Sequence, residues 1–169
     1  MKDFGVVIEE MMDRYALADL SFEYRHVTVI MDKKGNILSM GTNMDRKVSR
    51  ASARTRHSEM DAINKFLLHR SPGKSARSDK YKLNKPLYVL IIRISRGGGL
   101  KMSKPCRFCL DRLTRLELLG YKIKHIYYSD RTGTLIKSNL SELKEESTYL
   151  PLRERQILRR VSTPSSHDL

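Results

Sequence analysis

Cysteine is scarce in this sequence: the 169 residues contain two, Cys106 and Cys109, and both lie in one Cys-x-x-Cys stretch. None is left over for a disulfide framework, so the sequence is not that of a small disulfide-stabilised secreted domain. Two randomly placed cysteines would fall three positions apart in roughly 1% of chains of this length. The spacing is therefore informative, and it indicates a metal site in a reducing compartment.

Long apolar runs are also lacking. No segment reaches the roughly 18 apolar residues of a membrane span, and the first ten residues do not form a signal pattern. We therefore expect an intracellular protein, in the cytoplasm or nucleus, that makes no use of a membrane. The length and the 40% apolar content support one core and not two ordinary domains. A single domain is predicted for residues 1–161, with a disordered tail at 162–169.

The residues that carry chemistry form a split signature. His57-Ser58-Glu59 is followed much later by Pro105-Cys106-Arg107-Phe108-Cys109, the H-x-E…P-C-x-x-C pattern of zinc-dependent nucleobase deaminases. One imidazole and two thiolates supply three ligands to Zn²⁺ and leave one tetrahedral position for water. Glu59 is placed to take a proton from that water and to deliver it to the nucleobase.

On these residues the sequence resembles the cytidine deaminase superfamily, over about residues 25 to 145. The resemblance implies an α/β fold of three layers, with a mixed sheet of about five strands and flanking helices. It assigns zinc binding to His57, Cys106 and Cys109, and proton transfer to Glu59. Many members have an asparagine after the second strand that contacts the sugar or base, and Asn43 matches it. Ser58 stands where alanine is usual.

Hydrophobic periodicity and turn residues predict the order of elements. An opening amphipathic helix is expected at 4–17, and a second helix begins near His57. The helix that carries the cysteines is expected from Pro105 to Leu119, with Ser103 as N-cap and a stop at Gly120. The predicted strands are Val27–Met31, Asn36–Met40, Leu87–Ile94, Ile123–Tyr128 and Thr134–Ile136.

The last two predicted strands are separated by five residues, Ser129 to Gly133. This connection is too short for a helical crossover, so the two strands should be antiparallel. Within the superfamily, such an ending resembles the free cytidine deaminase branch and some toxin-type deaminases. The topology therefore favours a small substrate or an atypical enzyme of nucleic acids.

Acidic residues are outnumbered, with 19 Asp and Glu against 33 Lys and Arg and a net charge of +14. The cations concentrate just before the two halves of the signature, where a phosphate backbone passing the pocket would meet them. The charge therefore favours single-stranded RNA or DNA as the partner. The predicted substrate contacts are Asn43, Phe108, Arg50, Arg54, Arg56 and Arg107, and Phe108 is assigned equally to the pocket and to the core.

The function predicted from these observations is deamination of cytosine to uracil in single-stranded nucleic acid. One alternative is a free cytidine or deoxycytidylate deaminase, which acts on a pyrimidine nucleoside or nucleotide. Another is an inert zinc-containing module that binds nucleic acid. A purely structural zinc site would need a fourth ligand, for which His26, His69, His125 and His167 are the candidates. The residues do not decide cytosine against adenine, and the resemblance allows a homo-oligomer.

Overall fold

The structure is a computed structural model, and it describes residues 6, 9, 24–43, 57–69 and 85–146. Val6 and Glu9 are helical, whereas the rest of the predicted opening helix at 4–17 lies outside the described residues. The predicted tail at 162–169 and the domain boundary at 161 also lie outside them and stay predictions. No helix among the described residues is long and apolar enough to cross a membrane.

A six-stranded mixed sheet forms the centre of the fold. The order of its main path is β2-β1-β3-β5-β6, and the short β4 pairs with β3. β1 runs antiparallel to both β2 and β3, β3 and β5 are parallel, and β5 and β6 are antiparallel. The predicted mixed sheet and its antiparallel ending are thereby confirmed. The strands are β1 Tyr24–Met31, β2 Ile37–Thr42, β3 Pro86–Ser95, β4 Leu100–Lys101, β5 Lys122–Ser129 and β6 Leu135–Ser138.

The sixth strand arises from a hairpin that the sequence did not indicate. The Gly97–Gly99 stretch lies in the tight turn between β3 and β4, and Gly98 has a φ of 78°. Such a positive φ favours glycine. Ser95 closes the hairpin through a hydrogen bond from its backbone N–H to the Gly99 carbonyl.

Three helices are described, α1 Ser58–Leu68, α2 Arg107–Leu118 and α3 Leu140–Glu146. All three contribute to one buried cluster with one face of the sheet, through side chains such as Phe66 of α1, Leu113 of α2 and Leu143 of α3. The α2 helix ends one residue before the predicted limit, and Gly120 follows it with a φ of 90°.

β3 is the central strand and is buried on both faces. Val89 and Ile91 belong to the cluster beneath the helices, whereas Leu90, Ile92 and Ile94 belong to a second buried cluster on the opposite face. The continuous apolar run in the sequence predicted this burial. The described helices cover one face only, so the third layer of the predicted three-layer fold stays a prediction.

Gly41 fixes how closely α1 approaches the sheet. A Cβ added at this residue of β2 would lie 2.2 Å from the Ala62 nitrogen and 2.2 Å from the Ser58 carbonyl oxygen, both in the α1 backbone. No real Cβ fits there, so only glycine allows this contact. Because α1 begins beside His57, the contact also sets the position of the functional site.

We therefore expect Gly41→Ala to lower the free energy of unfolding by about 3 kcal/mol or more, since the backbone of α1 must move to admit a methyl group. Urea denaturation of both proteins measures the change. Gly97→Ala is the matched control, because a Cβ there meets no atom within 4 Å, and its effect should stay within about 0.5 kcal/mol. Equal effects of the two substitutions would show that α1 does not depend on this close contact.

Candidate metal centre and active site

Two helix N-termini meet at the site. His57 is the N-cap of α1 and Cys106 is the N-cap of α2, and both have extended backbone dihedrals. Neither side chain caps its own helix. The two helices carry their chemistry in their first residues, where unpaired N–H groups and the helix dipole favour negative charge such as a thiolate.

The N-cap predicted for α2 was wrong by three residues. Ser103 does not cap the helix, because its hydroxyl donates to the Ile91 carbonyl oxygen at 2.7 Å and accepts the backbone N–H of Ser129 at 2.8 Å. Pro105 consequently lies before the helix and not in its first turn. These bonds fasten the segment before Cys106 to β3 and β5, the two parallel neighbours at the centre of the sheet.

His57, Cys106 and Cys109 form one cluster. The Nδ1 of His57 lies 3.5 Å from the Sγ of Cys106 and 3.2 Å from the Sγ of Cys109, and all the ligand atoms lie within 4.8 Å of one another. A tetrahedral zinc with ordinary bond lengths would separate its nitrogen and sulfur ligands by about 3.6 Å. The three residues can therefore hold a metal ion, and their nitrogen and sulfur donors suit zinc.

The two thiols of the cluster differ in acidity. A hydrogen bond from Cys109, with help from His57, lowers the pKa of Cys106 to about 5. Cys109 donates that same bond and is buried, and both effects raise its pKa. Cys106 is therefore a thiolate at neutral pH in the metal-free site, and Cys109 must lose its proton when a metal binds.

Glu59 lies in the first turn of α1 and is buried, with 6% of its surface exposed. Burial raises the pKa of its carboxyl group, although its own backbone N–H, His57 and the Ser58 hydroxyl act in the opposite direction. A buried carboxylate with an increased proton affinity is a suitable general base. It lies two residues from a metal-binding candidate and is not itself a member of the cluster.

A fourth protein ligand is not found in the described part of the chain. His26, His69 and His125 were the described candidates, and none of them joins the cluster. His125 instead lies between Tyr88 and Tyr127, with ring centroids at 5.9 and 6.2 Å. His167 lies outside the described residues. Within the described residues, the cluster therefore offers three protein ligands to a metal.

Asn43 follows β2 directly and is held by β1. Its side-chain oxygen accepts the His26 backbone N–H at 2.7 Å, and its own N–H donates to the His26 carbonyl at 3.1 Å. Because alternate residues of a strand face the same side, Asn43 shares the face of Gly41, which lies against α1. The structure thus gives Asn43 a structural role beside the site, and its contact with substrate stays a prediction.

Phe108 and Arg107 lie in the first turn of α2, between the two cysteines. Phe108 is 44% exposed and Arg107 is also exposed, so the core alternative for Phe108 was wrong, and its contact with substrate stays a prediction. The other predicted contacts, Arg50, Arg54 and Arg56, lie outside the described residues. An exposed aromatic ring next to two buried ligands is suited to stacking on a base.

The environment of His26, close to His57, was not predicted from the sequence. Burial, followed by the charges of Arg93 and His57, lowers the pKa of His26 from 6.5 to about 4. Arg93 is its direct cross-strand partner on β3. The sequence signal that could have indicated this environment is the alternation of β1. His26 lies two residues before Thr28 and so faces the same side of the sheet, which α1 covers.

The low pKa of His26 predicts a pH dependence of stability. Between pH 4 and 6.5 the unfolded chain binds a proton at this position and the folded chain does not, so stability rises with pH across that window. We expect a loss of about 2 to 3 kcal/mol at this site as the pH falls from 6.5 to 4. Denaturation of wild type and His26→Gln at several pH values isolates the effect. The difference between the two proteins should change across this window and stay flat above it, and a constant difference would contradict the assignment.

The described residues form a mixed α/β fold, as the sequence predicted, with the ligand cluster at the starts of two helices. The sequence matches no protein-family model and no curated protein. Solved structures of similar fold include a mutant cytidine deaminase from Mycobacterium tuberculosis, at 14% identity and a TM-score of 0.49. The match to this structure covers 88% of the present chain and 100% of the cytidine deaminase chain. The dCMP deaminase of cyanophage S-TIM5 has 14% identity and a TM-score of 0.42, with 86% of this chain and 93% of that chain covered.

Proposed function

We propose that this protein is a zinc-dependent hydrolytic deaminase that converts cytosine to uracil in single-stranded nucleic acid. One observation carries the proposal: the His57-Cys106-Cys109 cluster lies beside a buried Glu59 that is not part of it. Three ligands with a separate carboxylate are what metal-assisted hydrolysis requires. A structural zinc site would have no use for that carboxylate.

Zinc would be held by the Nδ1 of His57 and the sulfurs of Cys106 and Cys109. When bound, zinc supplies Lewis acidity that lowers the pKa of a coordinated water and so provides the nucleophile. Two thiolates neutralise the charge of the ion and weaken this effect, so a nearby base is needed. His57 is half-buried, whereas both cysteines are buried.

Glu59 is proposed to move the proton. Its carboxylate takes one proton from the attacking water and passes it to the ring nitrogen. It then takes the proton that remains on the attacking oxygen and passes it to the leaving amine. Burial raises its pKa and so strengthens it as a base. The carboxylate must stay off the metal for this purpose, and the structure keeps it outside the ligand cluster.

The charge of the chain supports a polynucleotide substrate. The net charge is +14, and Arg107 beside the site, Lys101 on β4 and Arg131 after β5 are all exposed. Phe108 would stack on the target base, which must be unpaired or flipped out because the ring carbon is unreachable in a stack. Arg50, Arg54, Arg56 and Asn43 remain proposed substrate contacts, and an intracellular location is part of the same proposal.

A free nucleoside or nucleotide is the second candidate substrate. The observation in its favour is the antiparallel pairing of β5 with β6, from Ile126 opposite Ser138 to Ser129 opposite Leu135. In the superfamily that the sequence resembles, this ending is typical of the free cytidine deaminase branch. A free nucleoside, however, would not explain the large positive charge of the chain, because it has no phosphate backbone.

A substrate panel decides between the candidates. The zinc-loaded protein is incubated with cytidine, dCMP, single-stranded DNA and single-stranded RNA, and conversion of each base is read by mass spectrometry. We expect conversion of cytosine in a polynucleotide, with binding that weakens steeply as salt increases. Conversion confined to cytidine or dCMP would establish the second candidate. Tight polynucleotide binding without any conversion would identify an inert binding module and overturn the proposal.

A further inference from the structure

A chain of two hydroxyl groups leads from the sheet to Glu59. The Thr28 Oγ1 on β1 lies 2.8 Å from the Ser58 Oγ, and the Ser58 Oγ lies 3.2 Å from the Glu59 Oε2. We propose that Ser58, supported by Thr28, is a positioning residue that holds Oε2 of Glu59 and so fixes the orientation of the carboxylate. This inference rests on the proposed function.

The direction of the chain follows from counting protons. A serine hydroxyl has one proton, and an ionised carboxylate can only accept. Because Ser58 donates to Glu59, it has no proton left for Thr28, so Thr28 must donate to Ser58. The order of donation is therefore Thr28 to Ser58 to Glu59. Thr28 is 1% exposed and Ser58 is 0% exposed, which keeps water from replacing either bond.

The chain connects the catalytic carboxylate to a rigid part of the molecule. Thr28 lies on β1, which is paired on both sides, with Gly41 of β2 and with Ile91 of β3. Glu59 belongs to the first turn of α1, so the hydroxyl chain ties the helix start to the sheet. A carboxylate whose rotamer is fixed in this way is preorganised for proton transfer.

Ser58→Ala tests the proposal, with Ser39→Ala as the matched control. Ser39 is also buried, and its hydroxyl donates to the Ala62 carbonyl of the same helix at 2.7 Å, away from Glu59. Loss of a hydrogen bond to a charged group should lower kcat of Ser58→Ala roughly 10-fold. KM should change less than about twofold, and bound zinc should be unchanged. Ser39→Ala should lower stability and keep kcat within about twofold of wild type.

Thr28→Val separates positioning from a general loss of packing. It should lower kcat roughly threefold in the wild-type background and have no effect in the Ser58→Ala background, since the chain is already broken there. Crystal structures of wild type and Ser58→Ala supply a readout that does not depend on turnover. In Ser58→Ala, the Glu59 carboxylate should leave its wild-type position.

Each outcome supports or overturns the proposal. An unchanged kcat in Ser58→Ala, or an equal effect of Thr28→Val in both backgrounds, overturns it. If the wild type converts no substrate of the panel, the proposed function fails, and the two crystal structures still decide the positioning. A Glu59 carboxylate at the same place in both structures would overturn the positioning role on its own.

Discussion

Glu59→Gln is expected to abolish turnover and to leave the zinc in place. The glutamine amide has nearly the same size and fills the same buried position, but it cannot accept a proton from water. Removal of a general base lowers rates by about 100 to 10,000-fold, and a loss of at least about 1,000-fold is expected here because the proposed mechanism uses Glu59 in both proton transfers. Single-turnover kinetics on the substrate that the panel identifies measures the loss.

This experiment has two controls, the zinc content of the variant and a second substitution. Glu59 is not a member of the ligand cluster, so Glu59→Gln should retain one zinc per chain by metal analysis. Glu117→Gln, on an exposed position of α2, is the matched control and should keep full activity. Full activity in Glu59→Gln would contradict the proposed mechanism, whichever base is the substrate.

Cys106→Ala is expected to lose the metal and, with it, a large part of the stability. Zinc affinity should fall by at least roughly 1,000-fold, since one of three ligands is removed, and binding energy at such a site is also folding energy. In wild type, free zinc at 1,000 times its dissociation constant stabilises the folded state by about 4 kcal/mol. The variant should gain at most about 0.4 kcal/mol at the same zinc concentration.

Thermal unfolding with and without zinc measures the effect of Cys106→Ala. The melting temperature of wild type should rise on addition of zinc, and that of the variant should stay constant. Wild type treated with a chelator is the control, and it should unfold close to the variant. A zinc-dependent increase in the melting temperature of Cys106→Ala, equal to that of wild type, would remove Cys106 from the ligand set.

The acidity of Cys106 adds a pH dependence to this second prediction. Its pKa in the folded, metal-free protein is about 5, lowered from 9, so the thiolate is present at neutral pH and is protonated as the pH falls through 5. Cys109 keeps its proton until the metal binds, because its pKa is raised. Zinc binding should therefore release about one proton per site at pH 7 and weaken steeply below about pH 5.

Much of the fold was predictable because its patterns are local. The continuous apolar run at Leu87–Ile94 predicted a strand buried on both faces, and the five-residue connection after Tyr128 predicted the antiparallel ending. The β3–β4 hairpin was not predicted, since β4 has two residues and a pairing of that length has no periodicity to detect. The N-cap of α2 was misassigned because Ser103 has long-range partners on β3 and β5.

The sequence by itself determined which donor atoms the site can offer to a metal. A histidine, a glutamate two positions later and a Cys-x-x-Cys pair are identifiable without coordinates, because the donor atoms that a metal needs belong to residue types and their spacing. The tertiary structure alone decided the arrangement around them. Gly41 sets how closely α1 packs on the sheet, and His26 lies beside Arg93. Thr28 contacts Ser58, which in turn donates a hydrogen bond to Glu59. Each of these contacts joins residues far apart in the chain, and only the packing of the helix on the sheet brings them together.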